Sequence, residues 1–167
     1  NPPSLEETNL QSWTLAFENA GLDNDYDFND VVLKVTPDTK NGKAEVKLLA
    51  TGAQRKTMVY FNGTLLGEVH ELFGVSTDTF VNTTSNTATT KAVTLPPIDW
   101  PNNTTMEKQR MNFSLKVYND DGTPDREFSM VDLLNDMKSP QALCVAGDWK
   151  WPKERVNVYT AYPLIGL

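Results

Sequence analysis

The sequence has one cysteine, one histidine and no long apolar run, and each scarcity excludes a class of protein. The single cysteine, Cys144, cannot form an intrachain disulfide or a zinc site built from several cysteines. It lies in the apolar stretch Ala-Leu-Cys-Val-Ala, a setting typical of a buried, unreactive thiol. No segment approaches the roughly 20 apolar residues that a transmembrane helix needs, so we expect no direct membrane insertion.

Positive charge is also missing, but only from the first fifth of the chain. The first basic residue is Lys34, and seven of the 22 acidic residues precede it. The other 15 acidic residues match the 15 basic ones, so the formal net charge of −7 arises from residues 1–33. A net negative chain without a cluster of Lys and Arg argues against nucleic acid and against an anionic membrane surface as partners.

Short β-like segments separated by turn residues dominate the sequence. A two-residue hairpin is predicted at Asn62-Gly63, and a helix of about two turns over 129–137, before Pro140. We expect an all-β (mainly β) protein: a single-domain antiparallel β-sandwich over 1–167, jelly-roll-like, with at most one or two short helices. Strands are predicted at 13–17, 31–35, 44–50, 56–61, 65–69, 91–95, 111–118, 141–145 and 155–159.

Residues 18–30, here called the acidic block, contain five carboxylates and no basic residue. Each close pair of carboxylates repels by about 1 kcal/mol even in water, so folding the block needs a counter-charge. Within the block, Asp25, Asp27 and Asn29 alternate with aromatic residues, which lets a curved backbone direct oxygen ligands at one centre. Calcium takes six to eight such oxygens at about 2.3–2.6 Å. The spacing therefore favours a bound divalent cation, with Ca²⁺ as the expected ion.

Other interpretations of the acidic block stay open. The block is not an EF-hand, because Asp30 stands where that loop needs glycine and Thr36 where it needs a bidentate glutamate. It could be a solvated turn in which aspartates cap backbone amides. Alternatively, Asp25 and Asp27 could form a catalytic pair for glycoside hydrolysis, although hydrolases usually draw their two carboxylates from separate elements.

The segments 13–18 (Trp-Thr-Leu-Ala-Phe-Glu) and 25–32 (Asp-Tyr-Asp-Phe-Asn-Asp-Val-Val) strongly resemble the LruC domain family, also known as a domain of unknown function (DUF4842). Segments 68–74, 81–83, 149–154 and 161–163 resemble its central region and C-terminal signature. Asn19 departs from the family, which often has aspartate there. The resemblance implies a β-sandwich in a secreted or outer-membrane-associated protein of Bacteroides-like bacteria, with no established activity. It also implies a set of calcium ligands: Glu18, Asp25, Asp27, Asn29 and Asp30, with Asp23 as a weaker candidate.

Three aromatic residues and the histidine are the remaining candidates for function. Trp149 and Trp151 are two apart and would share one face of a strand. Exposed, they would form a stacking platform for a sugar ring; buried, they would belong to the core. Tyr60 is a further stacking candidate. His70 lies in an apolar-flanked run and is interpreted as a structural, hydrogen-bonded histidine.

The leading hypothesis is a non-enzymatic, extracellular or cell-surface module, stabilised by calcium and acting in adhesion or surface assembly. Its partner would be an unknown surface protein or a glycan. The alternatives are a carbohydrate-binding module that uses Trp149, Trp151 or Tyr60 and, remotely, a glycan hydrolase. The chain begins Asn-Pro-Pro without methionine, which we interpret as a mature fragment lacking its signal peptide.

Overall fold

The chain forms two antiparallel β-sheets that pack face to face. The computed structural model describes residues 12–18, 29–84, 88–130 and 142–156. The strands in these residues are β1 Trp13–Phe17, β2 Val31–Asp38, β3 Lys43–Ala50, β4 Thr57–Phe61, β5 Thr64–Glu68, β6 Val93–Thr94, β7 Ile98–Asp99, β8 Phe113–Tyr118, β9 Pro124–Ser129 and β10 Ala142–Ala146. The helices are α1 Val69–Phe73 and α2 Met106–Gln109, and a 3₁₀ turn, Arg110–Asn112, follows α2.

The two sheets divide the described strands unequally. The larger sheet has the order β10-β1-β2-β3-β6, and the short strand β7 also pairs with β3. The smaller sheet has the order β5-β4-β8-β9. The predicted all-β sandwich is therefore confirmed. No helix in the described residues is long and apolar enough to cross a membrane.

The main core lies between the sheets and is closed by aromatic contacts. Phe17 of β1 meets Phe128 of β9 edge to face, with ring centroids 6.4 Å apart. Val31, Val32 and Leu33 at the start of β2 are all fully buried, so this end of the strand is covered on both faces. Complete burial of side chains of this size contributes about 1.5–3 kcal/mol each.

A second, smaller cluster of buried residues covers another part of the larger sheet. It consists of Ala16, Val32 and Ala50, which lie side by side on neighbouring strands. Trp149 and Trp151 pack on this cluster from the segment that follows β10. We call residues 149–156 the C-terminal segment, and its position brings it to the acidic block.

The predicted hairpin at Asn62-Gly63 is confirmed by its backbone. Asn62 has φ of 49° and Gly63 φ of 80°, so both central residues of the turn between β4 and β5 are left-handed. A type I′ turn requires that conformation, and Asn-Gly is the pair that adopts it most readily. The sequence therefore fixes the register of this hairpin locally.

Several predicted element boundaries were wrong. Val69, predicted as strand, begins α1 because the Glu68 side chain caps the helix by accepting from the amides of His70 and Glu71. The predicted helix over 129–137 conflicts with Ser129, which ends β9, and residues 131–137 lie outside the described residues. Arg155, predicted to begin a strand, has φ of 62° in a turn, and residues 157–159 lie outside the described residues. The strand predicted over 91–95 forms only two residues, Val93–Thr94.

Candidate metal centre

The two ends of the acidic block meet at one end of the larger sheet. Glu18 directly follows β1, and Asn29 and Asp30 directly precede β2. Since β1 and β2 pair as antiparallel neighbours, the chain that links them must leave and return at the same end of the sheet. The Asp30 amide donates to the Phe17 carbonyl at 3.2 Å, which closes the block at its base.

Both ends of the block are buried although they are polar. Glu18 is 1 % exposed and Asn29 is completely buried. Such groups are costly to bury unless other groups satisfy them, which makes this junction the place to look for a ligand. Of the six predicted calcium ligands, the structure brings Glu18, Asn29 and Asp30 together, whereas Asp23, Asp25 and Asp27 lie outside the described residues.

The end of β3 supports the returning end of the block. The Gly52 amide donates to the carbonyl of Asn29 at 2.8 Å and also contacts that of Asp30 at 3.2 Å. The Thr51 hydroxyl donates to the Asp30 carbonyl at 2.8 Å. Thr51 is held in turn by paired backbone hydrogen bonds with Val81. The backbone at Asn29 and Asp30 is thus fixed by tertiary hydrogen bonds.

The C-terminal segment reaches the same place from the far end of the sequence. The Glu154 amide donates to the Thr83 carbonyl at 2.8 Å, and the Trp151 indole donates to the Asn82 carbonyl at 2.8 Å. Pro152 contributes its carbonyl, which accepts from Asn29 Nδ2 at 3.0 Å. These bonds tie the segment both to the loop between α1 and β6, where Asn82 and Thr83 lie, and to the acidic block.

Two side-chain oxygens from these distant segments converge over Gly52. A Cβ atom added to Gly52 would lie closer than 3.0 Å to both Asn29 Oδ1 and Glu154 Oε2, a separation that real Cβ atoms essentially never show. Glycine is therefore the residue that leaves room for the two oxygens at this position. Both oxygens are buried from solvent.

Two oxygens at this junction also lack a hydrogen-bond partner within the described part of the chain. They are Asn29 Oδ1 and the hydroxyl of the fully buried Thr83, the residue to which Glu154 is bonded through its amide. An unsatisfied buried polar group costs about 1–3 kcal/mol, so such groups mark a place for an ion or a water. Amide and hydroxyl oxygens beside carboxylates are suitable ligands for a hard cation such as Ca²⁺.

The described residues alone do not form a complete carboxylate cage. Within ranges 12–18, 29–84, 88–130 and 142–156, no three His, Cys, Asp or Glu side chains cluster as a metal site. At the junction the oxygens of Asn29 and Glu154 come together beside Gly52, at the end of the sheet where Glu18 is also buried. A full set of six to eight oxygens would need further ligands, such as backbone carbonyls, water or other carboxylates of the block.

Sequence reasoning missed Glu154 and Gly52 as members of this junction. Glu154 stands in the segment 149–154 that resembles the LruC C-terminal signature, but nothing in its spacing connects it with a loop so far away in the sequence. Gly52 follows β3 as a lone glycine in a Thr-Gly-Ala stretch, which resembles any strand end. Their roles become visible only when the β-sheet brings the segments together.

The three proposed stacking residues do not lie on one surface element. Trp149 and Trp151 are half-buried against Ala16, Val32 and Ala50 of the larger sheet. Tyr60 lies on β4 of the smaller sheet, where Lys116 Nζ sits 5.0 Å from the centre of its ring. The tryptophans thus act at least in part as a cover for the sheet.

His70 and Glu68 form a separate buried pair at the start of α1. His70 is fully buried, with Nδ1 2.9 Å from Glu68 Oε2 and Nε2 2.7 Å from the Ala53 carbonyl oxygen. Burial alone lowers the pKa of His70, but the hydrogen bonds to Glu68 and Ala53 and the charges of Glu68 and Asp78 outweigh it and raise this pKa. Burial alone raises the pKa of Glu68, but hydrogen bonds from His70, Thr57 and Glu71 outweigh it and lower this pKa overall. The predicted structural role of His70 agrees with this geometry.

Cys144 is half-buried on β10, and burial raises the pKa of its thiol to about 11. A thiol with so high a pKa carries little thiolate at neutral pH and is a poor nucleophile. The geometry is that of a packed apolar side chain, as the sequence indicated.

Comparisons of the chain with models of known protein families, with curated proteins and with solved structures gave no match. The resemblance to the LruC family and the single-domain boundary at 1–167 therefore stay predictions. The arrangement of Asn29, Gly52 and Glu154 at the junction is therefore the basis of the function proposed below.

Proposed function

We propose that this chain is a non-enzymatic, extracellular or cell-surface β-sandwich module that Ca²⁺ stabilises at the acidic block. The observation that supports it is the complete burial of Asn29 at the end of the acidic block, where its Oδ1 has no hydrogen-bond partner in the described residues. A solvated turn would leave the Asn29 amide in water, where its oxygen needs no partner within the protein. Burial of both ends of the block favours a bound cation over a solvated turn.

Adhesion or surface assembly is the role we propose for the module, with a surface protein or a glycan as its partner. This part of the proposal follows from the resemblance to the LruC family of secreted or outer-membrane-associated proteins. A calcium-dependent structural module suits such a location, because extracellular calcium sites commonly work at dissociation constants of about 10⁻⁴–10⁻³ M.

Thermal unfolding of chelator-stripped protein tests the calcium site. At a Ca²⁺ concentration 100-fold above the dissociation constant, a site present only in the folded state adds about 2.7 kcal/mol of stability. For a chain of this size, that corresponds to a rise in Tm of roughly 5–10 °C. We expect a clearly smaller effect of Mg²⁺, which demands stricter octahedral geometry and keeps more of its waters.

A double variant, Asp25→Asn with Asp27→Asn, should lose most of the calcium-dependent rise in Tm. The matched control is Glu107→Gln with Glu127→Gln, which changes the charge equally at two exposed positions and should keep the full rise. A wild-type Tm that responds to neither Ca²⁺ nor chelator would refute the calcium site and return the block to an ordinary capped turn.

The carbohydrate-binding alternative keeps a specific observation in its favour: Trp149 and Trp151 are only half-buried. A sugar ring stacked on their remaining exposed surface would change indole fluorescence. A broad glycan panel that leaves the emission of the calcium-loaded protein unchanged would count against this alternative. The hydrolase alternative depends on Asp25 and Asp27, which lie outside the described residues.

A further inference from the structure

We propose that Asn29 Oδ1 and Glu154 Oε2 bind the same Ca²⁺ beside Gly52, so that the ion fastens the C-terminal segment to the acidic block. This inference rests on the proposed function, because it takes the cation from there. It adds Glu154 as a ligand and gives the ion a second effect, the docking of residues 149–156.

The orientation of the Asn29 amide is the first step. Asn29 Nδ2 donates to the Pro152 carbonyl at 3.0 Å in a buried hydrogen bond. Turning the amide over would place Oδ1 against that carbonyl, where two acceptors would face each other. The Pro152 carbonyl therefore directs Oδ1 away from itself and towards Gly52.

The position of Glu154 Oε2 is the second step. It lies as close to the empty Cβ position of Gly52 as Asn29 Oδ1 does, so both oxygens face the same small space. An amide oxygen and an ionised carboxylate oxygen can only accept hydrogen bonds, and neither can donate to the other. A cation beside these two oxygens would be attracted to both, and Ca²⁺ prefers oxygens of these two kinds.

The consequence for the C-terminal segment is the third step. Besides the Asn29–Pro152 bond, the contacts that hold the segment include the indole bond of Trp151 to Asn82, the amide bond of Glu154 to Thr83 and packing of the two tryptophans on the sheet. A few hydrogen bonds of this kind stabilise a segment only weakly, so they allow frequent local opening. A Ca²⁺ ion bound by both Asn29 and Glu154 would strengthen the attachment of the C-terminal segment. Its removal should therefore increase local opening of residues 149–156 before the rest of the protein unfolds.

The experiment compares the wild-type chain of residues 1–167 with its Glu154→Gln and Gly52→Ala variants, all chelator-stripped and titrated with Ca²⁺ by calorimetry. Glu154→Gln removes a charged ligand while keeping its shape, and Gly52→Ala keeps every carboxylate but fills the space in front of the two oxygens. Loss of residues that only support metal ligands commonly costs about 10- to 100-fold in affinity, so each variant should bind Ca²⁺ at least about tenfold more weakly. The control is Glu127→Gln, an exposed position on the smaller sheet.

Hydrogen exchange of peptides covering residues 149–156 provides the second readout. Ca²⁺ should slow exchange of the Glu154 amide, the donor to Thr83, in wild type and in Glu127→Gln but not in Glu154→Gln. Unchanged Ca²⁺ affinity in Glu154→Gln, with normal calcium-dependent protection of the segment, would overturn this inference. The same unchanged affinity and protection are expected if a proton, and not Ca²⁺, lies between Asn29 Oδ1 and Glu154 Oε2.

Different results would contradict the calcium-stabilised module and the role of Glu154 as a ligand. If wild type binds Ca²⁺ and the Asp25→Asn/Asp27→Asn variant does not, while Glu154→Gln binds as wild type does, the calcium-stabilised module stands and only the role of Glu154 is wrong. If wild type itself binds no Ca²⁺, the proposed function falls and this inference with it. Should Gly52→Ala fail to fold, Glu154→Gln decides the matter by itself.

Discussion

Raising the pH above 6.5 is expected to destabilise this protein through deprotonation of His70. Both ring nitrogens of the buried imidazole face acceptors, Glu68 Oε2 at 2.9 Å and the Ala53 carbonyl oxygen at 2.7 Å. A neutral imidazole donates from only one nitrogen, so both contacts are satisfied only when the ring is protonated. Deprotonation leaves one nitrogen lone pair against an acceptor, in a site without exposure to water.

The direction of the effect follows from the two pKa shifts. The pKa of His70 is raised above its usual 6.5, so its contribution to stability is complete below that value and is lost as the pH rises through the folded-state pKa. The pKa of Glu68 is lowered below its usual 4.5, so its contribution is present above that value and is lost as the pH falls through the folded-state pKa. The pair therefore contributes most between pH 4.5 and 6.5.

The magnitude can be worked from the bonds that change. Deprotonation of His70 removes one hydrogen bond of an imidazolium, which contributes about 1.5–3 kcal/mol when one partner is charged. Glu68 keeps its bonds from the amides of Thr57, His70 and Glu71, each at 2.8 Å, so the cap of α1 survives. We expect a loss of about 1.5–3 kcal/mol on the alkaline side, without loss of the fold.

The assay is urea unfolding from pH 5 to pH 9, in wild type and in His70→Gln, with Ca²⁺ held at saturation. His70 is the only histidine, so the variant removes all histidine titration at once. Wild type should lose stability above pH 6.5 relative to the variant, whose own curve should be flatter there. Parallel curves for the two proteins would show that the folded-state ring is neutral, and the reasoning from its two acceptors would be refuted.

Two further outcomes test the core and the cysteine. Phe17→Ala should lower the free energy of unfolding by about 3–5 kcal/mol, because it removes a fully buried ring that joins the two sheets; urea unfolding that changes by less than 1 kcal/mol would contradict the described core. Cys144, with a pKa of about 11, should react with a maleimide at pH 8 far more slowly in the folded protein than in urea. Equal rates in the two states would contradict its burial.

Most of the strands were predictable because their signals are local. β1 and the β4–β5 turn were found from apolar runs and from Asn-Gly, features that a few neighbouring residues determine. β9 was missed because Pro124–Ser129 contains Pro, Asp and Glu, residues with low strand preference, and it forms by pairing with β8. Helix α1 was missed because its five residues depend on the Glu68 cap and on Gly74, which has φ of 73°.

The candidate site likewise has a part that the sequence predicts and a part that depends on the fold. The acidic block was visible in the sequence because unbalanced charge is a property of composition and needs no fold. Glu154 and Gly52 were not visible, because their relation to Asn29 exists only after β1, β2 and β3 have aligned. A ligand that comes from a distant segment leaves no spacing pattern to detect.

The pairing of β1 with β10 has a consequence for how the chain is made. Trp13 lies opposite Ala146, and the five pairs of this ladder join the first described strand to the last. During synthesis β1 emerges well before β10, and its outer edge stays uncovered until residues 142–146 have followed. Contacts so distant in sequence form slowly, and an unpaired strand edge invites pairing with other chains. Truncation before residue 142 is therefore expected to yield a product that aggregates through β1, even though both sheets keep most of their strands.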